Sequence, residues 1–350
     1  IRDRVYKMQK TFSLSLTVNP EKQAAIEIER LLKFPGFLKR DSFAKGRVEI
    51  VELRVDERSR LCNVALSEMN RVIKCRVLVC AVLRRGDVVA PDGSFVLREG
   101  DRIFVTASTE SLATLLDNLG IITKKVNHVM ICGGGRVSYY LAQQLEKDGM
   151  TVRLIEKDSK HCEELAALLP KTEIINDDAS NTFVLKRENL ESCDALVTAT
   201  GMDELNMIIS LYGTKHGVSQ VITKLGHMEN GSMIDQLPIG STIWPKDLCC
   251  NGIVRYIRAM HNQTGAAVSV HSIADGKAEA IEFHVEEKKP YCDKPLKNMK
   301  VKQNILVACI THGGVTELPG GDSVIREGDT VVVVTTRNDI IYKLDDIFEA

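Results

Sequence analysis

Val126 to Asp158 reads VNHVMICGGGRVSYYLAQQLEKDGMTVRLIEKD. An apolar run, His128 to Cys132, stops at three glycines. A helical pattern follows, with Val137, Leu141 and Leu145 on one face, and Gly149 ends it. A second strand, Val152 to Ile155, closes on Glu156. Strand, glycine turn, helix and strand within about 30 residues is the order that a dinucleotide-binding unit requires. Gly133 permits a tight turn off the strand. Gly135 leaves the backbone open to a pyrophosphate, at which the first N–H groups of the helix and its dipole are aimed. Glu156, about 20 residues on, can accept from both hydroxyls of an adenine ribose and repels a 2′-phosphate. The third glycine position holds Ser138, small enough for close helix–strand contact but a departure from the pattern. The alternative is a fold of this type with an empty cleft.

The continuation alternates as a doubly wound parallel sheet does. A helix from His161 to Leu169 precedes a strand from Glu173 to Ile175, which ends at Asn176-Asp177-Asp178. Strand Ala195 to Ala199 leads through Thr200-Gly201 into a helix from Glu204 to Tyr212. Strand Gln220 to Lys224 and a helix through Met260 complete the unit. Asp203-Glu204 suits a helix cap. Lys224, at a strand's carboxyl end, is either a phosphate contact or a solvated lysine.

On either side the pattern is different. Phe12 to Val18 reads as a short strand, and Asn19-Pro20-Glu21 opens a helix striped by Ala24, Ala25, Ile28, Leu31 and Leu32, which Pro35-Gly36 ends. Strands separated by glycine turns run from Arg47 to Ala107, followed by a helix from Glu110 to Leu119. Strands return after Gly265, with a terminal helix expected from Asp339 to Phe348.

The two strand-rich regions are copies. Arg76–Asp101 aligns without a gap on Asn304–Asp329, with ten identities that include Arg98-Glu99-Gly100-Asp101 over Arg326-Glu327-Gly328-Asp329. The preceding helices also correspond, Pro20 with Pro245 and Ile28 with Ile253. The expected organisation is therefore 1–38 as the end strand and crossover helix of a first nucleotide-type domain, 43–121 as a strand module, 125–262 as a complete nucleotide-type domain with its crossover helix, and 265–350 as the second strand module. On this reading a full first domain precedes Ile1.

Composition narrows the classes. The 350 residues are 44% hydrophobic and 27% charged with a net charge of −1, ordinary for a globular protein and unlike a nucleic-acid binder. No apolar run reaches the roughly 18 residues of a membrane span. Ten cysteines scatter without CxxC pairs, several in apolar strands, which fits a reducing cytosol rather than a disulfide framework. Eight histidines form no HxxxH or HExxH pattern, and Cys249-Cys250 reads as core packing, so no metal site is expected.

Two Rossmann-like domains, each followed by a strand module with a VxREGD-type turn, resemble the regulator of potassium conductance (RCK/KTN) family. GGGRVSYYLAQQLE, VRLIEKD, VTATGMDELNM and NPEKQAAIEIERLLKFPG carry the resemblance together with both REGD modules. It implies an α/β fold with a Rossmann-like parallel sheet (RCK N-type) and two small α+β modules (RCK C-type). It implies NAD(H) as ligand, with ATP, ADP or AMP as alternatives. Phosphate contacts fall on Gly133, Gly135, Arg136 and Val137. Ribose contact falls on Glu156 with Lys157 beside it. Asp178 and Ala179 lie by the adenine, and Ala199, Thr200 and Lys224 close the cleft. Asp177 stands where the family often has glycine.

The family's partner is a membrane potassium channel, here of the Trk type. C-type modules self-associate, which suggests a homodimer of the full chain, cytoplasmic and peripheral on the inner face of the membrane. The expected role is that of a regulatory subunit rather than an enzyme. Glu99, Asp101, Glu327 and Asp329 recur at duplicated turns, and Glu-Gly-Asp suits a tight turn. An NAD-dependent oxidoreductase, or a scaffold answering a different effector in its C-type modules, are the competing readings.

Overall fold

The computed structural model describes residues 14–33, 37–57, 59–119, 125–226, 234, 237–260, 267–336 and 340–349. In chain order, helix α1 (Pro20–Lys33) precedes strands β1 (Lys39–Phe43) and β2 (Val48–Arg54), helix α2 (Leu66–Ile73), strands β3 (Leu78–Arg84), β4 (Asp87–Val89) and β5 (Arg102–Ala107), and helix α3 (Thr109–Leu119). Then come β6 (His128–Cys132), α4 (Arg136–Lys147), β7 (Thr151–Glu156), α5 (Ser159–Leu168), β8 (Thr172–Asn176), α6 (Thr182–Arg187), β9 (Ala195–Thr198), α7 (Asp203–Lys215), β10 (Gln220–Lys224), β11 (Ser241–Ile243) and α8 (Pro245–Met260). The last stretch holds β12 (Ala267–Ile273), β13 (Ala278–His284), β14 (Ile305–His312), β15 (Val315–Glu317) and β16 (Thr330–Thr335). Residues 1–38 with 123–253 form one compact unit, and 39–122 with 254–350 form another.

The first unit is a Rossmann-like α/β domain. Its six strands lie in the order β11-β10-β9-β6-β7-β8, all parallel. The order reverses between β6 and β9, so the crevice at their carboxyl ends is the switch point where such sheets take ligands. Both faces are covered, which is why the strands read as continuous apolar runs. Leu141, Ala142 and Leu145 of α4 pack on one face, and Val184, Leu185 and Ile209 of α6 and α7 on the other.

Helix α1 completes the first face. Ala24, Ala25, Ile28, Leu31 and Leu32 are buried in the same core as α4. Burying three such large aliphatic side chains contributes on the order of 6 kcal/mol. Asn19 caps the helix through Lys22 N–H at 2.9 Å, Gln220 donates to Leu31 O at 2.7 Å, and Lys33 pairs with Asp148 at 2.9 Å. The crossover helix therefore has a sheet to cover, the one in this chain. The expected strand upstream does not form over residues 14–18, where Leu14 and Leu16 are exposed. Alternation alone cannot hold a strand whose backbone groups have no neighbour to pair with. Phe12 and the Pro35-Gly36 stop lie outside the described residues.

The second unit consists of the two copies. Each is a five-stranded antiparallel sheet, β1-β2-β5-β3-β4 and β12-β13-β16-β14-β15. Phe43, Ile50, Leu83 and Phe104 of one copy share a core with Ile273, Ala280, Cys309 and Val332 of the other. The contacts are reciprocal, as pairing about a two-fold demands. Lys277 of the second copy donates to Gly86 O of the first, and Arg47 of the first lies against Gly314 of the second. His271 bonds Asp41 at 2.9 Å and Phe43 packs on its ring.

Helix α2 occupies a stretch in which the sequence pattern gave no helix. The terminal helix expected from Asp339 to Phe348 does not form over the described part. A 3-10 turn, Leu344–Ile347, stands there, and Phe348 bridges Val301 in extended pairing. Leu344 and Ile347 are both buried at three-residue spacing, which a single tight turn satisfies.

Candidate functional site

The site is built on the turn between β6 and α4. Gly133 has φ +98°, and a Cβ there would stand 2.8 Å from Thr200 Cα. Only glycine meets both demands. Gly135 is the N-cap of α4 and makes no side-chain cap bond. A Cβ on it would meet only Ala199 O, at 4.0 Å, so the space before the helix is open. The first amides of α4, those of Arg136, Val137 and Ser138, therefore start the helix without a side-chain acceptor, the condition under which a helix N-terminus takes an anion. Val137 is buried in the core and presents only its backbone. Ser138 is fully buried, and its hydroxyl has no hydrogen-bond partner. It is there for its size, as expected at the third small position.

Glu156 ends β7 beside this turn. One carboxylate oxygen accepts from Gly134 N–H at 2.7 Å and the other from Asp158 N–H at 2.8 Å. The acid is thereby held at the strand's carboxyl end, with lone pairs left for hydroxyl donors. Lys157 is exposed next to it. Asp178 turns the chain after β8 by accepting from Ser180 N–H at 2.8 Å, which keeps its carboxyl below the ordinary range. Ala179 is buried and lines an apolar hollow of about 260 Å³ with Ile208 and Tyr212. Asp177 accepts from Asp178 N–H and pairs with Arg187 at 2.9 Å, so both lower its pKa. The extra carboxylate is partly neutralised where it stands.

The far wall is Ala199, Thr200 and Lys224. Ala199 is buried at the end of β9. Lys224 Nζ donates to Thr200 O at 2.8 Å, and burial holds its ammonium below the ordinary range against the pull of Asp203 and Glu21. Sequence reasoning missed what fixes this wall. Asn206 is fully buried, accepts from Thr200 N–H at 2.9 Å and Thr200 Oγ1 at 2.7 Å, and donates to Lys224 O at 2.9 Å. It ties the ends of β9 and β10 together. The signal was present as a polar residue on the apolar face of α7. Asp203 also does something other than the capping expected of it. The N-cap of α7 is Met202, without a side-chain bond, and Asp203 accepts from Gly226 N–H at 2.8 Å, anchoring the turn after β10.

Arg136 is 82% exposed, and its guanidinium lies 3.5 Å from Glu21 Oε1 on the first turn of α1. The structure thus brings Gly133, Gly135, Arg136, Val137, Glu156, Ala199, Thr200 and Lys224 to one strand-end crevice, with Lys157, Asp178 and Ala179 on the β7–β8 side. The glycine turn, uncapped amides and positioned acid suit a dinucleotide with a free ribose 2′-hydroxyl. Among the described residues, no group of three His, Cys, Asp or Glu is placed to hold a metal ion. Cys249 is buried and Cys250 exposed on α8.

Comparison with known proteins places these parts. Residues 129–245 match the TrkA-N domain, and residues 50–120 and 280–348 each match the TrkA-C domain. The Trk system potassium uptake protein TrkA of Haemophilus influenzae is 27% identical over 338 residues, covering 95% of this chain and 72% of that protein. A TrkA homolog of Archaeoglobus fulgidus is 27% identical over 347 residues, covering 99% and 76%. Among solved structures, the GsuK RCK domain superposes with TM-score 0.53 at 14% identity, over 91% of this chain and 67% of that one. The GsuK channel bound to NAD gives 0.50 at 14% identity, over 89% and 55%. At that identity the structures bear on the fold alone.

Proposed function

The chain belongs to the TrkA group of RCK proteins, with one TrkA-N and two TrkA-C domains, and on that premise we propose that it is a nucleotide-binding regulatory subunit of a Trk-type potassium transporter. The observation that carries the reading is the strand-end crevice: an uncapped helix N-terminus behind a glycine of φ +98°, with Glu156 fixed at the end of the next strand. Gly133, Gly135, Arg136 and Val137 hold the phosphates. Glu156 and Lys157 take the ribose, Asp178 and Ala179 the adenine edge, and Ala199, Thr200 and Lys224 the remaining wall. NAD(H) is the ligand that fits the acid best, and ATP, ADP or AMP are the competitors in the assay.

Nucleotide binding biases the domain arrangement and so gates potassium flux. Such a switch needs the ligand to bind one arrangement more tightly than the other. The partner is the membrane subunit, on the cytoplasmic face. Among the described residues, no helix is long and apolar enough to cross a membrane. The proposed limits are 43–121 and 265–350 for the C-type modules and 125–262 for the N-type domain, whose sheet helix α1 of the 1–38 segment covers. The two modules pair with each other within one chain, and the assembly proposed is a homodimer of the full chain in which each chain supplies two repeats.

The role proposed is not catalytic. Both acids of the REGD turns that face inward are consumed in structure. Asp101 takes Arg84 and Arg98 N–H at 2.7 Å each, and Asp329 takes His312 and Arg326 N–H. Steady turnover of NADH with a carbonyl substrate would favour an oxidoreductase instead. Calorimetric titration of NADH, NAD, ATP and ADP, with Gly135→Asp as control, tests the reading. Micromolar binding lost in the control supports it, and no binding by any nucleotide sinks it.

A further inference from the structure

Gly134, the middle glycine, is held from both sides. Its N–H donates to Glu156 at 2.7 Å, and its carbonyl oxygen lies 2.9 Å from Nε2 of His161, on the first turn of α5. A Cβ at this position would stand 2.8 Å from Leu165 and 2.9 Å from Glu156, so the peptide is closely boxed. The Gly134–Gly135 peptide is trans, since no cis bond occurs among the described residues. In a trans peptide the C=O and N–H point in opposite directions. A carbonyl pinned toward His161 therefore aims the Gly135 N–H away from it, into the open space before α4.

The other ring nitrogen of His161, Nδ1, faces Glu164 Oε2 at 3.3 Å. A carbonyl and a carboxylate both accept only, so a ring that serves both must carry two N–H groups, as the imidazolium does. The charges around it agree: Glu156 from β7 and Glu164 from its own helix are both negative, and the Asp158 carboxylate is engaged by the His161 backbone N–H at 2.9 Å. The Gly134 carbonyl, then Glu164 and Glu156, raise the His161 pKa above its ordinary value, against a lowering by burial.

We propose that His161 is a positioning residue of the phosphate-binding turn, and that the imidazolium, by fixing the Gly134 carbonyl, makes nucleotide affinity depend on pH near neutrality. This rests on the nucleotide reading of the crevice. The sign follows from the bonds. The charged ring holds the turn at low pH, and the hold weakens as pH rises through the raised pKa. A neutral ring keeps one of its two bonds, and the tautomer protonated on Nδ1 loses the Gly134 carbonyl.

The test is NAD titration across the range about pH 6 to 8.5, where histidine changes charge, on the wild type, His161→Gln and His161→Ala. Gln keeps a donor but does not titrate. The wild type should lose about fivefold in affinity across this range, a fraction of the tenfold per pK unit that full linkage gives. The Gln variant should stay flat and near the low-pH wild-type value, and the Ala variant flat and weaker. Carbon-13 NMR of the ring should show a midpoint above the ordinary value, moving up when NAD binds. A wild-type affinity that does not change with pH, or a Gln variant that keeps the wild-type profile, overturns the proposal while leaving the ligand reading intact. No binding of NAD, NADH, ATP or ADP at any pH removes both.

Discussion

Two places in the molecule join glycines to an acid, and they are used in opposite ways. In the crevice, Gly135 has open space before it, and Glu156 is fixed at the edge of that space by two backbone N–H groups. In the REGD turns, Gly100 and Gly328 have φ near +85°, and Asp101 and Asp329 are almost fully buried. Residue type does not separate the two cases. What separates them is whether the acid's partners close over it or leave an approach. Arg84 covers Asp101 bidentately, whereas nothing but backbone holds Glu156.

The largest test of this contrast is Gly133→Ala. It meets both a left-handed φ and Thr200 at 2.8 Å, so it should cost about 3 kcal/mol of stability and abolish nucleotide binding. Chemical denaturation and calorimetry read the two effects separately. Asp101→Asn comes next. Breaking the bidentate contact between buried Asp101 and partly exposed Arg84 should destabilise by about 2 kcal/mol and leave nucleotide affinity within about twofold. A large loss of affinity would mean that the turn belongs to the site after all. Asp329→Asn should cost less, about 1 kcal/mol, because His312 retains a hydrogen bond to an amide and no bidentate guanidinium contact is lost. Equal costs in the two copies would show that the arginine adds nothing. Smallest is Ser138→Ala. Removing a buried hydroxyl without a partner from a helix should stabilise by about 0.5–1 kcal/mol with nucleotide affinity unchanged. A loss of binding would give that hydroxyl a role its surroundings do not show.

The two copies of the strand module also differ where the repeat gave no warning. The left-handed positions recur, Ala44 with Ala274 and Asn63 with Asp293, so the backbone follows one path there. Yet the first copy has helix α2 where the second has only a 3-10 turn, Leu296–Asn298. Met69 and Ile73 anchor α2 in the core, whereas no residue of the Leu296–Asn298 turn is buried. Without such anchors a short helix has too little apolar face to hold it, since tertiary packing supplies most helical stability.

From the residues alone come the α/β class, the parallel domain, the repeated modules, and the glycine turn with the acid that ends the next strand. These rest on local rules: period of apolar residues, glycine at obligatory turns, and identity between copies in register. Tertiary structure alone decided what each polar group does. It put α1 on the sheet of this chain, gave Asp203 to Gly226 rather than to a helix cap, buried Asn206 as the tie between β9 and β10, and set His161 against the Gly134 carbonyl. A hydrogen bond between residues distant in sequence leaves no periodic trace, because it needs only one donor and one acceptor brought within 3 Å by everything else that packs.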